Sequence, residues 1–308
     1  MTDTLRRRLA ATVTGALLLT ACQTTPPTDP RPATPPPPQQ PAPTATVAAT
    51  APGLTPGQRL HALAGSIRAT PADTTTGPYT YVHTQSWARA TTTIVRIDLR
   101  HWRCDTTGSG HDIERRLPPL HGVRHTPQPR ERRLFAQADT VLTRYPPGEL
   151  APYIAEPVPT DPTALAAALA PPTPDAPPAD PRTLVNGVVG MARSQHLNRD
   201  QRAAVLRVLA GIPGITYHGQ VTDVAGRPGL GFRLATDGNT LDLVVDTTTG
   251  AILAAQDTVQ ASSRPGLFSH ALFLTGEHTN TAGTPTGAHE PSCPARSTAA
   301  MNHPSASG

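Results

Sequence analysis

The sequence contains no lysine, few aromatic residues and few charges of either sign. All 26 basic residues are arginine and 22 residues are acidic, so the formal net charge is only +4. Aromatic residues make up 4% of the chain and charged residues 16%. This near neutrality excludes a strongly polycationic nucleic-acid-binding protein.

Proline, in contrast, is abundant, with 37 in 308 residues, more than twice its average share of about 5%. Residues 23–52 alone contain 11 prolines and almost no large apolar side chain. Such a segment cannot form a core, and in polyproline II geometry it extends up to roughly 90 Å. We predict a disordered, semi-rigid stalk over residues 22–53, with a second proline-rich insertion near 171–181.

The N-terminus has the pattern of an export signal. Arg6, Arg7 and Arg8 precede a 13-residue apolar run over 9–21, which predicts a signal peptide in residues 1–21. The run is shorter than the about 20 residues of a membrane-spanning helix, the weaker alternative.

The signal ends in Leu19-Thr20-Ala21-Cys22, which looks like a bacterial lipobox. In a lipobox, lipid is attached to the Cys22 thiol and cleavage occurs just before it. Acyl chains such as palmitate would anchor the protein on the extracytoplasmic face of the cell membrane. The alternative is a plain secretory signal in which the cysteine is incidental.

Hydrophobic periodicity predicts a single α+β domain over residues 54–275. Helical spacing indicates helices over Leu54–Arg68 and Asp161–Ala170, then from Leu184 and from the capping residue Asn198. Tyr79, Tyr81 and the alternation over 91–102 predict two antiparallel strands. Further segments separated by turn sequences predict an antiparallel sheet, as a half-barrel or meander: Ile215–Thr222, Leu230–Ala235, Leu241–Val245, Ala251–Val259 and Leu267–Leu274.

Two other regions are predicted to lie outside this sheet. The segment 115–133 has six arginines, four prolines and one acid, Glu131, and we expect an exposed, disordered basic loop. Such a loop is suited either to anionic headgroups or cell-wall polyanions, or simply to solvent. The small, polar composition of residues 276–308 predicts a disordered tail.

Three motifs carry a resemblance to a known family. They begin at Arg202 (Arg-Ala-Ala, then Leu-Ala-Gly-Ile-Pro-Gly), at Asp223 (Asp-Val-Ala-Gly-Arg) and at Leu243 (Leu-Val-Val-Asp-Thr-Thr-Thr-Gly). With Trp102 ahead of Gly-Ser-Gly, they resemble an actinobacterial family of cell-envelope proteins of unknown function, over roughly residues 54–260. The design is more distantly similar to the lipoprotein-carrier and periplasmic sigma-regulator fold. The resemblance implies a location and a fold, and it brings no catalytic residues.

Two segments invite a catalytic interpretation. Asp105-Thr-Thr-Gly-Ser and Asp246-Thr-Thr-Thr-Gly are superficially similar to the paired loops of aspartic proteases. The extra threonines displace the carboxylates from the close geometry of a shared proton, so we predict hairpin turns. Ser109 lacks the Gly-x-Ser-x-Gly pattern of a nucleophile elbow, and no catalytic residue is predicted.

Twelve histidines raise the question of a metal site. The densest group is His101, His111, His121 and His125, but neighbouring arginines would oppose a divalent cation. We therefore expect His121 and His125 to lie in a solvated loop, with no metal and no cofactor.

Once Cys22 is assigned to lipid, Cys104 and Cys293 are an even pair. In an oxidising compartment they form either a disulfide that ties the tail to the sheet or two free thiols.

These features favour a non-enzymatic envelope lipoprotein that binds a protein partner or an apolar ligand, as a binding or sensing module. The alternative is a carrier whose sheet curls around an acyl chain, which predicts an apolar cavity of several hundred Å³. A hydrolase is a third hypothesis, for which the sequence offers no nucleophile. No nucleic-acid partner is expected.

Overall fold

A computed structural model describes residues 49–171, 180–261, 263–283 and 293–294. All of them fall in one compact unit. The predicted signal peptide, Cys22, and the stalk up to residue 48 lie outside this description, as do the centre of the second proline tract and most of the tail. Within the described part of the chain, no helix has the length and apolar character that crossing a membrane requires.

The described residues form five helices and nine strands. The helices are α1 Pro56–Ser66, α2 Pro129–Leu134, α3 Pro162–Leu169, α4 Pro181–Ser194 and α5 Arg199–Ala210. Two short 3-10 turns are Pro71–Thr74 and Phe135–Gln137. The strands are β1 Tyr79–Ala90, β2 Thr93–Cys104, β3 Gly110–His121, β4 Thr140–Tyr145, β5 Ile215–Thr222, β6 Pro228–Thr236, β7 Asn239–Val245, β8 Ile252–Val259 and β9 Gly266–Thr279.

All nine strands belong to one open antiparallel sheet in the order β4-β3-β2-β1-β9-β8-β7-β6-β5. Strands β1 to β4 form one meander, and β5 to β9 form a second. The two meanders join at the centre, where β1 pairs with β9 from Tyr79 opposite Thr279 to Ala88 opposite Ser269. The predicted α+β class with an antiparallel sheet is confirmed.

Local capping sets where the helices begin. Asn198 Oδ1 accepts a hydrogen bond from the Gln201 backbone nitrogen, and Gln201 Oε1 accepts one from the Asn198 nitrogen. Thr55 and Gln58 form the same reciprocal pair ahead of α1. Each pair satisfies donors that a helix N-terminus leaves free, and α5 starts next to its predicted cap.

The main core lies between these helices and one face of the sheet, which we call the helical face. Leu230, Phe232 and Leu234 alternate along β6 toward this core, as period-two side chains do. Leu206 and Leu209 on α5 reach it from the other side and are fully buried. The core thus contains strand side chains that repeat every two residues and helix side chains that repeat about every 3.6 residues.

The opposite face of the sheet, the outer face, carries a second core around Trp87. This side chain is fully buried and packs edge-on against Phe135. Its indole Nε1 donates a 2.6 Å hydrogen bond to Glu131 of α2. The polypeptide between β3 and β4 is therefore held against the outer face.

This packing makes the prediction of a disordered basic loop over 115–133 wrong. The first part of that segment belongs to β3, and Pro129–Leu134 forms α2. Pro118 and Pro119 are tolerated because the β2–β3 register shifts between Ile94 and Arg96, so the prolines occupy a bulge that needs no ladder donor.

Two predicted boundaries also change. Ala49 is fully buried and its carbonyl accepts a hydrogen bond from Arg59 Nη1, so the folded part begins before residue 54. At the other end, β9 continues to Thr279 and Ala282 is buried beside Trp102, so the predicted disordered tail cannot begin at 276. The interior of the predicted insertion at 171–181 lies outside the described residues, and its last residue, Pro181, begins α4.

Candidate functional site

A cavity of about 200 Å³ lies on the helical face at one end of the sheet. Helices α4 and α5, the loop between them, the β7–β8 turn and β9 form its wall. Apolar side chains of α4, α5, the loop between them, β8 and β9 line it: Val188, Ala192, Leu197, Val205, Ile252 and Phe273.

The connection between α4 and α5 determines the polar part of this wall. It is short, because α4 ends at Ser194 and the Asn198 cap already starts α5. The side-chain amide of Gln195 is fixed by Ile154, whose nitrogen donates to Oε1 and whose carbonyl accepts from Nε2. His196 is consequently held in place against the cavity.

A buried ion pair stands beside the cavity. Arg202 Nη1 lies 2.6 Å from Asp73 Oδ1, and both side chains are less than one-tenth exposed. Burial disfavours the ionised carboxyl, but hydrogen bonds from Arg202 and Thr70 outweigh it and hold the pKa of Asp73 below its usual value. Arg202 also donates to the carbonyl of Thr249, so the ion pair joins α5, the 3-10 turn and the β7–β8 turn.

A second arginine in the wall is held in the same way. Arg227 Nε donates to Asp223 Oδ2, while Nη1 and Nη2 donate to the carbonyls of Phe273 and Leu253. The predicted turn at Asp223 is thereby tied to β8 and β9. Because both wall arginines are bonded within the chain, neither offers the cavity a free positive charge.

His196 differs from these groups. Its side chain is only 7% exposed, and its Nε2 is buried without a hydrogen-bond partner among the described residues. Burial, together with the neighbouring His278, lowers the pKa of His196 to about 4 despite the opposing effects of Asp73 and Gly276. His196 is therefore neutral at pH 7.

The two aspartate segments lie in hairpin turns, as predicted. Asp105 follows β2, and its turn is closed by the bond from the Gly108 nitrogen to the Cys104 carbonyl. Asp246 Oδ1 accepts from the backbone nitrogens of Thr248 and Thr249 in the β7–β8 turn. Strands β2 and β8 are three strand spacings apart, about 14 Å, so the two carboxylates cannot share a proton.

Asp105 nevertheless belongs to a buried charged cluster. Its Oδ1 lies 3.0 Å from Arg103 Nη2 and accepts a 2.6 Å hydrogen bond from Thr80. Glu156 lies 3.0 Å from the same guanidinium nitrogen, and His278 Nδ1 is 3.3 Å from Asp105. The cluster ties the start of β1 and the ends of β2 and β9 together, which is a structural role.

A third polar group pins α2 to the outer face. Asp98 Oδ2 lies 3.0 Å from His83 Nε2 and accepts a 2.6 Å hydrogen bond from Gln85. Arg132 of α2 donates to Gln85 Oε1. Burial disfavours the ionised Asp98, but the bonds from His83 and Gln85 lower its pKa below the usual value.

The four clustered histidines of the sequence are separated in space. His101 pairs with Asp112 at 2.6 Å, whereas His111 stacks on Trp102. His125 pairs with Glu131, and His121 ends β3. In the described ranges, no group of three or more metal-ligating side chains comes together.

Cys104 and Cys293 are joined by a disulfide with a Cα–Cα distance of 5.6 Å. It ties the end of β2 to the tail, the first of the two alternatives left by the sequence. Ser109, the other weighed nucleophile, is a buried turn residue whose hydroxyl lies 2.7 Å from that of Thr107.

The fold and the cavity define the structural class of the domain. It is an open antiparallel sheet with a layer of helices over one face and a small apolar cavity between the two. In comparisons with known proteins, the chain matches no family model, no curated protein and no solved structure. The resemblance to an envelope family therefore stays a prediction from sequence motifs.

Sequence reasoning missed the polar residues of the cavity. Gln195 and His196 precede the predicted Asn198 cap, so their place at a helix junction was accessible from the sequence. Their contacts with Ile154 and Gly276 join distant segments, and no local pattern encodes those.

Proposed function

We propose that this protein is a membrane-anchored, extracytoplasmic lipoprotein whose α+β domain is a non-enzymatic binding or sensing module. The observation that carries the binding role is the cavity on the helical face, which apolar side chains line and whose arginines are already bonded within the chain. A wall of this kind suits an apolar ligand, because it offers apolar contact and few polar groups for orientation.

The two buried ion pairs near the cavity have a structural role and offer no catalytic group. Arg202 with Asp73, and Arg227 with Asp223, hold separate segments together through several hydrogen bonds each. Catalytic acids and nucleophiles require a group left available to the substrate. These four residues instead bond one another and the backbone, which fixes the shape of the cavity wall.

The envelope location rests on two independent features of the chain. The first is the export signal that ends at Cys22. The second is the Cys104–Cys293 disulfide, a bond typical of extracytoplasmic proteins. A protein partner in the envelope is compatible with the same anchor and stalk.

Metabolic labelling tests the anchor. Cells that express the wild type and a Cys22→Ser variant are fed radiolabelled palmitate. We expect label in the wild type and none in the variant, because the variant lacks the thiol. Equal labelling of the two proteins, or none in either, would overturn the lipoprotein proposal.

Native mass spectrometry with lipid extraction tests the binding role on the secreted Cys22→Ser form. An Ala192→Phe substitution fills the cavity from α4, and Ala88→Phe at an exposed position of β1 is the matched control. A co-purifying apolar ligand should be lost only in the Ala192 variant. If the Ala192→Phe variant keeps the ligand, the ligand binds outside this cavity. If the unsubstituted domain shows only the mass of the free protein, the next step is to search for a protein partner by crosslinking.

The apolar wall also favours a second candidate, a carrier for an acyl chain. The cavity of about 200 Å³ is smaller than the roughly 300–1,000 Å³ of typical ligand sites, so a carrier would have to open further. The carrier predicts that the extract contains phospholipid, or an acyl chain from a lipoprotein, in a stoichiometric amount. A small apolar ligand would favour the sensing module.

A further inference from the structure

The hydrogen-bonding state of His196 sets the chemistry of the cavity. One ring nitrogen of His196 hydrogen-bonds the backbone of Gly276. Because Nε2 is the ring nitrogen without a hydrogen-bond partner among the described residues, the bonded nitrogen is Nδ1. Neutral imidazole carries one proton. With that proton on Nδ1 and donated to the Gly276 carbonyl, Nε2 is a hydrogen-bond acceptor.

This acceptor has no partner in the described part of the chain. Nε2 lies 3.9 Å from Asp73 Oδ1, beyond hydrogen-bond distance, and that oxygen is itself an acceptor bonded to Arg202. A buried acceptor without a donor is costly, so a ligand that donates a hydrogen bond to Nε2 would be stabilised here. Among the buried side-chain nitrogens and oxygens that the described residues contribute to the cavity wall, only His196 Nε2 has no hydrogen bond.

Charge excludes anionic ligands from this position. Asp73 and Asp223 already neutralise Arg202 and Arg227, so a carboxylate or phosphate would meet the lone pair of His196 without a compensating cation. Burying an unpaired charge is costly. A neutral hydroxyl group, which donates one hydrogen bond, fits this acceptor.

Size limits the rest of the molecule. An apolar cavity of about 150 Å³ accommodates benzene, and this one is about 200 Å³. The enclosed part of a ligand is therefore on the scale of an aromatic ring or a six- to eight-carbon chain, roughly.

We infer that the cavity binds a small uncharged alcohol, or the hydroxyl-bearing end of a neutral amphiphile, whose hydroxyl donates to His196 Nε2 while its hydrocarbon packs between Val188 and Phe273. This deepens the proposed binding role and rests on it. In a His196→Gln variant the side-chain carbonyl should accept the hydrogen bond in place of Nε2. A His196→Phe variant has no acceptor there.

The test uses the full secreted chain with Cys22→Ser and compares two matched probes, 1-heptanol and heptanoate, at pH 7. We expect heptanol to bind more tightly than heptanoate. His196→Phe should weaken heptanol binding about three- to tenfold, the usual effect of losing one neutral hydrogen bond. His196→Gln should restore most of it, and His218→Phe, at an exposed histidine of β5, should change nothing.

Nitrogen-15 NMR of the imidazole gives a readout that a purely structural role would not change. The Nε2 resonance of His196 should shift when heptanol is added and stay in place with heptanoate. This measurement, made on the unsubstituted histidine, decides the inference even if the phenylalanine variant does not fold.

Tighter binding of heptanoate, an unmoved Nε2 resonance, or no binding of heptanol would each overturn the assignment of the ligand class. None of these outcomes bears on palmitate labelling of Cys22 or on lipid extraction, so the anchor and the general binding role stand or fall separately.

Discussion

Acidification should destabilise the domain through two buried histidines. Burial lowers the pKa of His270 and of His196 to about 4. A histidine in the unfolded chain titrates near 6.5, so the unfolded state takes up protons first as the pH falls. The stabilising contribution of each neutral side chain is complete above pH 6.5 and is lost as the pH falls toward 4.

The structure supplies the magnitude. A decrease of the histidine pKa from 6.5 to about 4 lowers the free energy of unfolding by about 2 kcal/mol per histidine at pH 5. At pH 7 the effect is almost zero. Both histidines together therefore cost about 4 kcal/mol at pH 5. For a domain of this size, that lowers the melting temperature by roughly 10 °C.

His270 allows the cleanest measurement, because it lies on the outer face away from the cavity. Its Nδ1 is 3.1 Å from Gln256 Oε1, and its ring lies 5.5 Å from that of the fully buried Trp87. Its Nε2 has no hydrogen-bond partner among the residues that the structure describes. Trp87 fluorescence should therefore report urea unfolding of this region. The experiment compares unfolding free energies at pH 7 and pH 5.

We expect His270→Gln to lose about 2 kcal/mol of the difference between the two pH values, whatever its absolute stability. His218→Gln, at an exposed site on β5, is the matched control and should keep the full difference. If the His270 variant keeps the same pH dependence as the wild type, the burial argument is wrong.

Two further predictions concern the links between distant segments. Replacing Cys104 and Cys293 with serine should lower the free energy of unfolding, because the disulfide closes a separation of 189 residues and chain entropy sets an upper limit of about 5 kcal/mol; equal urea midpoints for oxidised, reduced and substituted protein would contradict this. Arg202→Met should cost about 3–5 kcal/mol by leaving Asp73 buried without its partner, while Arg207→Met, at an exposed position of α5, should cost little by the same denaturation assay.

The sequence predicted the second half of the fold far better than the first. Strand β5 and the Asn198 cap of α5 were placed correctly because alternation, turn glycines and capping are local signals. Strand β3 was missed because arginines and prolines mask its alternation, and its prolines are tolerated only through the bulge that faces β2 between Ile94 and Arg96. That bulge depends on a neighbouring strand, which no window of the sequence contains.

The candidate site was predictable only in part. The sequence identified the turn at Asp246 and the pairing of Cys104 with Cys293 as one alternative. It did not identify His196, because burial against Gly276 comes from the pairing of β9 with the rest of the sheet. Neither the residue type nor its spacing in the sequence predicts that His196 Nε2 is a buried acceptor.

The central pairing of β1 with β9 has a consequence for how the protein matures. Thr80 pairs with His278, so the two meanders cannot join until the chain has been synthesised through β9. Sheets that depend on such distant contacts fold slowly. Until β9 docks, β1 and β8 both present open edges, and a chain truncated before Gly266 would keep them, so it should aggregate through those edges.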